Sequence, residues 1–232
     1  KKVIAHVSTN VAPQWGVRPS THAIIEKLYE GFVEKFNAHL TQYPYLLGGK
    51  PCLGDFGLMC PLYGHLGRDP VPHHLLQMRG PWVHRWVERM NRPEPDTGEY
   101  INLPHSFLQD DEVPETIIEL LTHFALDFVP ETIASHSGIN RWLKENKPAI
   151  GTQCERYAGE AEFDVEGTAI HVCPQPFRFY LLERVQSAIQ ALKGSDQADA
   201  LALLDTCNMT AVLDLKLDRK IGRANNLEVW LD

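Results

Sequence analysis

Histidine and cysteine are the side chains in this sequence with the widest chemistry, because they serve as metal ligands, nucleophiles and proton carriers. The 232 residues include 11 histidines and 5 cysteines. The cysteines are widely spread, odd in number and without a Cys-x-x-Cys pair: Cys52, Cys60, Cys154, Cys173 and Cys207. Since a zinc ribbon or a disulfide framework needs clustered cysteines, this spacing predicts reduced and buried thiols.

No histidine pattern predicts a metal centre. His73 and His74 are adjacent, so on a helix they point about 100° apart and cannot bind one metal together. The other histidines are scattered, and we expect them at the surface or in hydrogen-bonded core positions. The sequence also lacks a His-Glu-x-x-His pair, a Gly-x-Ser-x-Gly elbow, a P-loop and a dinucleotide-binding glycine motif, which are the usual signatures of catalytic sites.

The composition is that of an acidic globular protein. Lys and Arg number 22 against 30 Asp and Glu, which gives a net charge of −8. Without a basic stripe, nucleic acid is not an expected partner. The apolar runs are short and interrupted, so we expect no membrane span, and the first residues lack the features of a secretory signal. These features and the cysteine pattern predict a cytoplasmic protein.

Hydrophobic periodicity predicts a mainly helical chain. After an irregular segment at 1–20, we expect helices at 21–40, 51–66, 81–90, 114–129, 131–146, 176–193 and 196–206. Pro61 is expected to kink the second helix, and Pro130 is expected to separate the fourth from the fifth. Alternating residues predict two short hairpins, one around Glu166-Gly167 and one that pairs 212–217 with 227–231 around Asn225-Asn226.

Several helix faces are expected to point inward. Phe56, Met59, Tyr63 and Leu66 would form one such face, and the glycines at 54, 57, 64 and 67 predict close helix packing beside it. In the 81–90 helix, the arginines at 85 and 89 are expected to point outward. In the 176–193 helix, the inward stripe is Phe177, Tyr180, Leu181, Val185, Ala188, Ile189 and Leu192.

The segment from Tyr43 to Pro93 carries a recognisable pattern. It reads Tyr-Pro-Tyr-Leu-Leu-Gly-Gly-Lys-Pro-Cys-Leu-Gly-Asp, and from Gly80 it continues as Gly-Pro-Trp-Val-His-Arg-Trp-Val-Glu-Arg-Met. This resembles the C-terminal helical domain of glutathione transferases, where a P-[FY]-L-hydrophobic-G-x-x-[ST]-x-A-D turn leads into a buried helix and a P-x-hydrophobic-x-x-W-x-x-R-M helix follows. The order and spacing agree over about fifty residues.

The resemblance implies a transferase-like helical bundle with extra helices and one or two short β-hairpins. Residues 1–20 would be irregular, 21–93 would form the helical core, and 94–232 would form a helical extension with hairpins packed on it. Cys52 and Asp55 occupy the helix-cap positions of the family, where they would support folding. Cys52 replaces the usual Ser or Thr, and Gly54 replaces the usual Ala.

In that family the glutathione site lies in an N-terminal thioredoxin-like domain, marked by Val-Pro followed by Glu-Ser or Gln-Ser. No Val-Pro pair here leads to either, and residues 1–20 are too few for such a domain. We therefore expect this chain to be the substrate-binding and dimerisation part of a homodimer that transfers glutathione to a hydrophobic electrophile. Alone it would be inactive, with no catalytic residue and no metal. A non-catalytic interaction or small-molecule-binding module is the open alternative.

Under the transferase interpretation, part of this chain would form the wall of the electrophile site. The candidates lie in the opening segment, on the first helix and on the late 176–193 helix: Trp15, Arg18, His22, Tyr29, Phe177 and Tyr180. Each has a simpler alternative. The aromatic residues could be packed in the core, and the Arg and His could be solvated or could cap a helix.

Overall fold

The computed structural model describes residues 5–92 and 98–232, and this part of the chain is mainly helical, as expected. Its α-helices are α1 (His22–His39), α2 (Leu53–Pro61), α3 (Pro70–Arg79), α4 (Pro81–Met90), α5 (Glu115–Asn146), α6 (Pro176–Ala191) and α7 (Gly194–Thr206). The strands form two antiparallel pairs, β1 (Ala161–Val165) with β2 (Thr168–Val172), and β3 (Ile221–Ala224) with β4 (Leu227–Trp230).

The chain divides into two compact units. Unit 2 is the continuous stretch 27–123, and unit 1 combines 1–26 with 124–232. These bounds differ from the division expected from the sequence, which placed 94–232 in one extension. The long helix α5 contributes its first residues to unit 2 and the rest to unit 1. No helix in the described ranges has both the length and the apolar character needed to cross a membrane.

The expected irregular opening is observed only in part, because residues 5–15 are helical and residues 16–21 form turns, while residues 1–4 lie outside the described ranges. A π-helical turn (Val7–Val11) leads into a 3₁₀ turn (Ala12–Trp15), and Gly16 ends it with a φ of 79°. A Cβ at Gly16 would lie 2.5 Å from Cγ2 of Ile170 on β2. Thr21 then fixes the entry to α1, because its hydroxyl donates to the Gly16 carbonyl at 2.6 Å and accepts the Arg18 N–H at 3.0 Å.

The helix type changes at Pro61 in unit 2, as the missing proline N–H predicts. The α-helix ends there and a π-helical turn (Leu62–Leu66) follows. The predicted inward face is right only in part, since Met59, Tyr63 and Leu66 are half-buried. Asp55 and Leu62 are buried and Phe56 is 58% exposed, because the start of the helix turns its Asp inward to meet three N–H donors.

The expected glycine packing is also wrong in part. A Cβ added at Gly57 or Gly64 would meet no atom of the described residues within 4 Å, so none of the described helices approaches there. At Gly67, in contrast, a Cβ would lie 2.5 Å from the Leu62 carbonyl oxygen. The closest approach at Gly67 is thus to the preceding turn of the same segment, and Cγ1 of Val87 on α4 follows at 3.5 Å, so helix packing is present at this glycine.

Helix α3 is absent from the sequence prediction, because Pro70 and Pro72 look like breakers in the sequence. Both prolines lie in the first turn, whose N–H groups have no partner within the helix, so they do not interrupt it. Helix α4 begins at Pro81 as expected, and Trp86 makes an edge-to-face contact with Phe36 of α1 at 5.0 Å between ring centroids. Arg89, expected to point outward, is only 5% exposed.

Helix α5 is continuous, so the break expected at Pro130 does not occur. A proline at this position leaves the carbonyl of Leu126 without its helical N–H donor. One turn further, the Thr132 hydroxyl donates to the Phe128 carbonyl at 2.5 Å. Burial of Ile139 and Leu143 in the unit 1 core extends the helix well past the proline.

The first hairpin agrees with the prediction. Phe163 pairs with Ile170, and Glu166 and Gly167 occupy the turn with φ values of 51° and 82°. Both central residues at positive φ are typical of the type I′ turn that connects two-residue hairpins. The Asp164 carboxylate accepts the Gly167 N–H at 2.8 Å, which adds a side-chain bond to the turn.

The second hairpin has the expected turn at Asn225-Asn226, but its first strand is β3 and not 212–217. The Gln186 amide explains the difference, since it donates to the carbonyls of Val212 at 2.8 Å and Leu215 at 3.0 Å. Those backbone groups bond to a side chain, so the segment does not pair as a strand. Trp230 at the end of β4 is fully buried in the unit 1 core.

Helix α6 has nearly the expected bounds, and Tyr180 of the expected stripe packs against the buried core, but most of that stripe does not face inward. Phe179 and Gln186, two turns apart, are buried. Phe177, Leu181 and Val185 of the expected inward stripe are exposed. Phe179 belongs to the same buried cluster as Trp230 and Ile221, so the position of this aromatic side chain against the core sets the rotation of the helix.

Candidate functional site

Asp55 is the centre of a hydrogen-bond network in unit 2. Its carboxylate has no solvent exposure. One oxygen accepts the N–H of Leu46 and the indole N–H of Trp86, each at 3.2 Å, and the other accepts the N–H of Cys52 at 2.9 Å. Three N–H donors compensate for the burial of a carboxylate, which would otherwise be strongly unfavourable.

Cys52 and Asp55 form a reciprocal pair at the start of α2. The thiol of Cys52 accepts the backbone N–H of Asp55, and the Asp55 carboxylate accepts the backbone N–H of Cys52. This is a capping box with sulfur in place of the usual hydroxyl. Burial raises the pKa of the Cys52 thiol, so this cysteine has the protonated state of a structural residue and not the thiolate of a nucleophile.

Arg89 is a second buried polar residue of unit 2. Its guanidinium donates to the carbonyl of Pro44 at 2.9 Å, and another of its nitrogens lies 3.6 Å from the carboxylate of Glu99. The guanidinium carbon also lies over the rings of Tyr45 and Tyr100, at 5.9 and 5.1 Å from their centroids. Arg89 therefore joins the turn before α2 to the segment after α4.

The two parts of the Tyr43–Pro93 pattern are thus bonded to one another in space. Trp86 of α4 reaches the cap of α2 through Asp55, and Arg89 reaches the preceding turn through Pro44. The order and spacing of the pattern indicated a buried cap and a core tryptophan. They did not indicate the bonds between the two, because those bonds join residues that lie 31 and 45 positions apart.

His39, at the end of α1, has no sequence pattern that indicates its role. It is fully buried, its Nε2 donates to the Tyr45 carbonyl at 3.0 Å, and its Nδ1 accepts the Thr116 hydroxyl at 2.8 Å. A carbonyl can only accept, so the proton of the neutral ring lies on Nε2. Burial lowers the pKa of His39, which makes it a neutral link in the core.

Three of the residues expected in the electrophile wall lie at the start of unit 1. Trp15 is 48% exposed at the end of its 3₁₀ turn. Arg18 is exposed and its guanidinium donates back to the Pro13 carbonyl at 3.1 Å. His22 is exposed at the first position of α1.

The other three wall residues have different surroundings. Phe177 and Tyr180 stack with 6.2 Å between ring centroids on α6. Tyr29 belongs to unit 2, and its hydroxyl is out of contact with solvent and has no hydrogen-bond partner in the described structure. Burial raises the pKa of Tyr29 to about 12. None of the six residues lines a cavity described below.

The five cysteines, none of which is in a disulfide, differ in exposure. Cys154 and Cys207 are buried as expected, Cys52 and Cys173 are half-buried, and Cys60 is exposed. Burial, together with the neighbouring carboxylates of Glu155 and Glu228, raises the pKa of Cys154 to about 12.

Two histidines meet across α3 and α4. Nε2 of His73 lies 3.1 Å from Nε2 of His84, and the rings stack at 5.2 Å. This is a hydrogen bond in which one ring donates and the other accepts. Within residues 5–92 and 98–232, no group of three or more His, Cys, Asp or Glu side chains is placed to hold a metal ion.

A cavity of about 210 Å³ lies in unit 1 between α6 and residues 215–221. Sequence reasoning missed it, because the alternation at 212–217 predicts a strand there. A compositional signal was present, since Lys216, Arg219 and Lys220 form a basic cluster in an acidic chain.

No protein-family model, no curated protein and no solved structure matches this chain. The site therefore has to be interpreted from its own geometry.

Proposed function

We propose that this chain is the helical part of a glutathione transferase-like protein. The observation that carries the proposal is the bonding between the two parts of the Tyr43–Pro93 pattern. Trp86 bonds to the carboxylate of Asp55, and Arg89 bonds to the carbonyl of Pro44. The pattern resembles the family at these positions. Each of the two bonds holds separate parts of the bundle together, and a chance agreement between sequences would not require such bonds.

In this proposal the glutathione site and the residue that activates its sulfur lie in a thioredoxin-like domain outside these 232 residues. The chain would contribute the apolar wall of the electrophile site and the interface of a homodimer. Trp15 at the end of its 3₁₀ turn, with Arg18 and His22 near it in sequence, is exposed, and so is Phe177 on α6.

The test is to express the complete reading frame that contains this chain. We expect the protein to conjugate glutathione to 1-chloro-2,4-dinitrobenzene, to bind to immobilised glutathione, and to sediment as a dimer. The 232-residue chain alone should do neither of the first two. A complete protein without conjugation and without glutathione binding would refute the transferase proposal and support the non-catalytic module.

The wall is tested in the complete protein by Trp15→Leu. We expect KM for the electrophile to rise while KM for glutathione is unchanged, because the indole would contact only the apolar substrate. Phe107→Leu is the matched control, since Phe107 is also about half exposed, at 49%, and lies outside the expected wall. Equal effects of both changes on KM for the electrophile would contradict the assignment of Trp15.

A further inference from the structure

The cavity between α6 and residues 215–221 has an apolar floor. Phe179 of α6 and Ile221 of β3 are buried and belong to the cluster around Trp230, and Leu217 packs against the same cluster. The floor is therefore a continuation of the unit 1 core. An apolar surface supported in this way is largely pre-formed, which is typical of small-molecule sites.

The backbone on the far side of the cavity is held in place by side chains of other elements. The amide of Gln186, only 5% exposed, donates to the Val212 and Leu215 carbonyls. The Asp218 N–H donates to the Asn140 side-chain oxygen of α5 at 2.8 Å. These bonds fix the segment on both sides of Lys216, so the cavity does not depend on a mobile loop.

The charged residues that line the cavity are mostly basic, and its other polar lining residues are neutral: Gln186, Ser187 and Gln190. Lys216, Arg219 and Lys220 carry three positive charges against the one negative charge of Glu183, in a chain whose net charge is −8. Arg219 is held by a hydrogen bond to the Pro148 carbonyl. In the described structure neither lysine has an ion pair with a carboxylate.

We propose that this cavity binds a small organic anion, a carboxylate or sulfonate on an aromatic or branched aliphatic body. The acidic group would lie against Lys216 and Lys220, and the body would cover Phe179, Leu217 and Ile221. The volume of about 210 Å³ is below the roughly 300–1,000 Å³ of sites for drug-sized ligands, so the ligand is smaller than a nucleotide. This site does not depend on glutathione or on a second domain.

The probe is 4-fluorobenzoate, observed by ¹⁹F NMR during titration of the 232-residue chain. 4-Fluorobenzamide and 4-fluorobenzamidine have nearly the same shape with neutral and positive groups. We expect saturable binding in the order benzoate, benzamide, benzamidine, and weaker benzoate binding as salt is added. Equal affinity for the three probes, or no saturable binding of benzoate, would overturn the proposal.

Variants locate the binding. Lys216→Gln and Lys220→Gln should each weaken benzoate binding by about threefold to tenfold, as expected for one charge-assisted contact, without changing benzamide binding. Lys193→Gln is the matched control, because Lys193 is an exposed lysine between α6 and α7 that does not line the cavity. Ser187→Phe, at an exposed lining position, should fill the cavity and abolish binding of all three probes.

All four variants change exposed side chains, so the far-ultraviolet circular dichroism and the thermal midpoint should match those of the parent chain. A folded Ser187→Phe variant that still binds benzoate would place the binding elsewhere and overturn the proposal. The proposal also fails if Lys193→Gln weakens benzoate binding as much as Lys216→Gln does.

Discussion

Asp55 offers the sharpest test of the structure, through the substitution Asp55→Asn. The carboxylate accepts one N–H on Oδ2 and two on Oδ1. An asparagine can keep its oxygen toward Leu46 and Trp86, but its amide nitrogen then faces the N–H of Cys52. Two donors meet there, and the partly buried N–H of Cys52 loses its partner.

The expected loss is about 1–3 kcal/mol of unfolding free energy, the cost of one unsatisfied buried donor. Asp55→Ala removes all three acceptor contacts, and we expect it to cost about 3–6 kcal/mol, a large part of the roughly 5–15 kcal/mol that stabilises a typical domain. The alanine variant should therefore be partly unfolded, whereas the asparagine variant should fold with reduced stability.

The assay is urea unfolding followed by tryptophan fluorescence and by circular dichroism. Asp69→Asn is the matched control, because Asp69 is the N-cap of α3, is exposed, and makes no side-chain cap bond. We expect that change to stay within about 0.5 kcal/mol. If Asp55→Asn costs no more than Asp69→Asn, the buried network does not stabilise the protein and our account of the α2 cap is wrong.

Other changes test separate parts of the molecule. Pro130→Ala should raise the unfolding free energy by about 1–3 kcal/mol because it restores a helix N–H. Pro81→Ala, at a first-turn position, should change the unfolding free energy by less than about 0.5 kcal/mol. Equal effects of the two changes in urea unfolding would contradict this prediction. Burial lowers the pKa of His39, so the unfolded chain takes up the proton first and stability should fall as pH drops below about 6.5. Unfolding curves of the parent and His39→Gln, measured across this range, should converge at low pH, and parallel curves would contradict the assignment. A thiol reagent such as 5,5′-dithiobis(2-nitrobenzoate) should react first with exposed Cys60 and with Cys154 only after denaturation; a fast phase that survives Cys60→Ser would refute this order.

Much of the secondary structure could be predicted because its determinants are local. The bounds of α1, α4 and α6 follow from apolar periodicity and from prolines at helix starts. The turns at Glu166-Gly167 and Asn225-Asn226 follow from residues that tolerate positive φ. In each of these, the residues that decide the structure are neighbours in the chain.

The errors in the prediction occur where a residue that is distant in sequence determines the local structure. Pro61 and Pro130 are both inside helical sequence, yet only Pro61 ends its α-helix. After Pro130 the helix continues into a buried core, and the residues of that core are too far apart in sequence for a local pattern to predict their contacts. The rotation of α6 is likewise set by Phe179 and Gln186, whose partners include residues of α5 and of the stretch from Val212 onward.

The candidate site shows the same limit in its polar residues. Asp55 could be placed at a helix cap because its spacing from Cys52 is a local rule. Arg89 and His39 could not be recognised as buried, since charged and ionisable side chains are usually exposed. Their burial is compensated by the carbonyls of Pro44 and Tyr45, which belong to the turn before α2.

The cavity of unit 1 shows why the charge of a whole chain does not decide what its parts bind. A net charge of −8 argues against a long polyanion, which would meet the summed charge of the protein over many contacts. A small anion meets only the charges within a Debye length, about 8 Å at physiological ionic strength. The charged residues that line this cavity are Lys216, Arg219 and Lys220 against Glu183, and the neighbouring carboxylate of Asp218 is paired with Lys144 at 3.6 Å. An acidic protein can therefore hold an organic acid, provided that the acid is small enough to meet only these side chains.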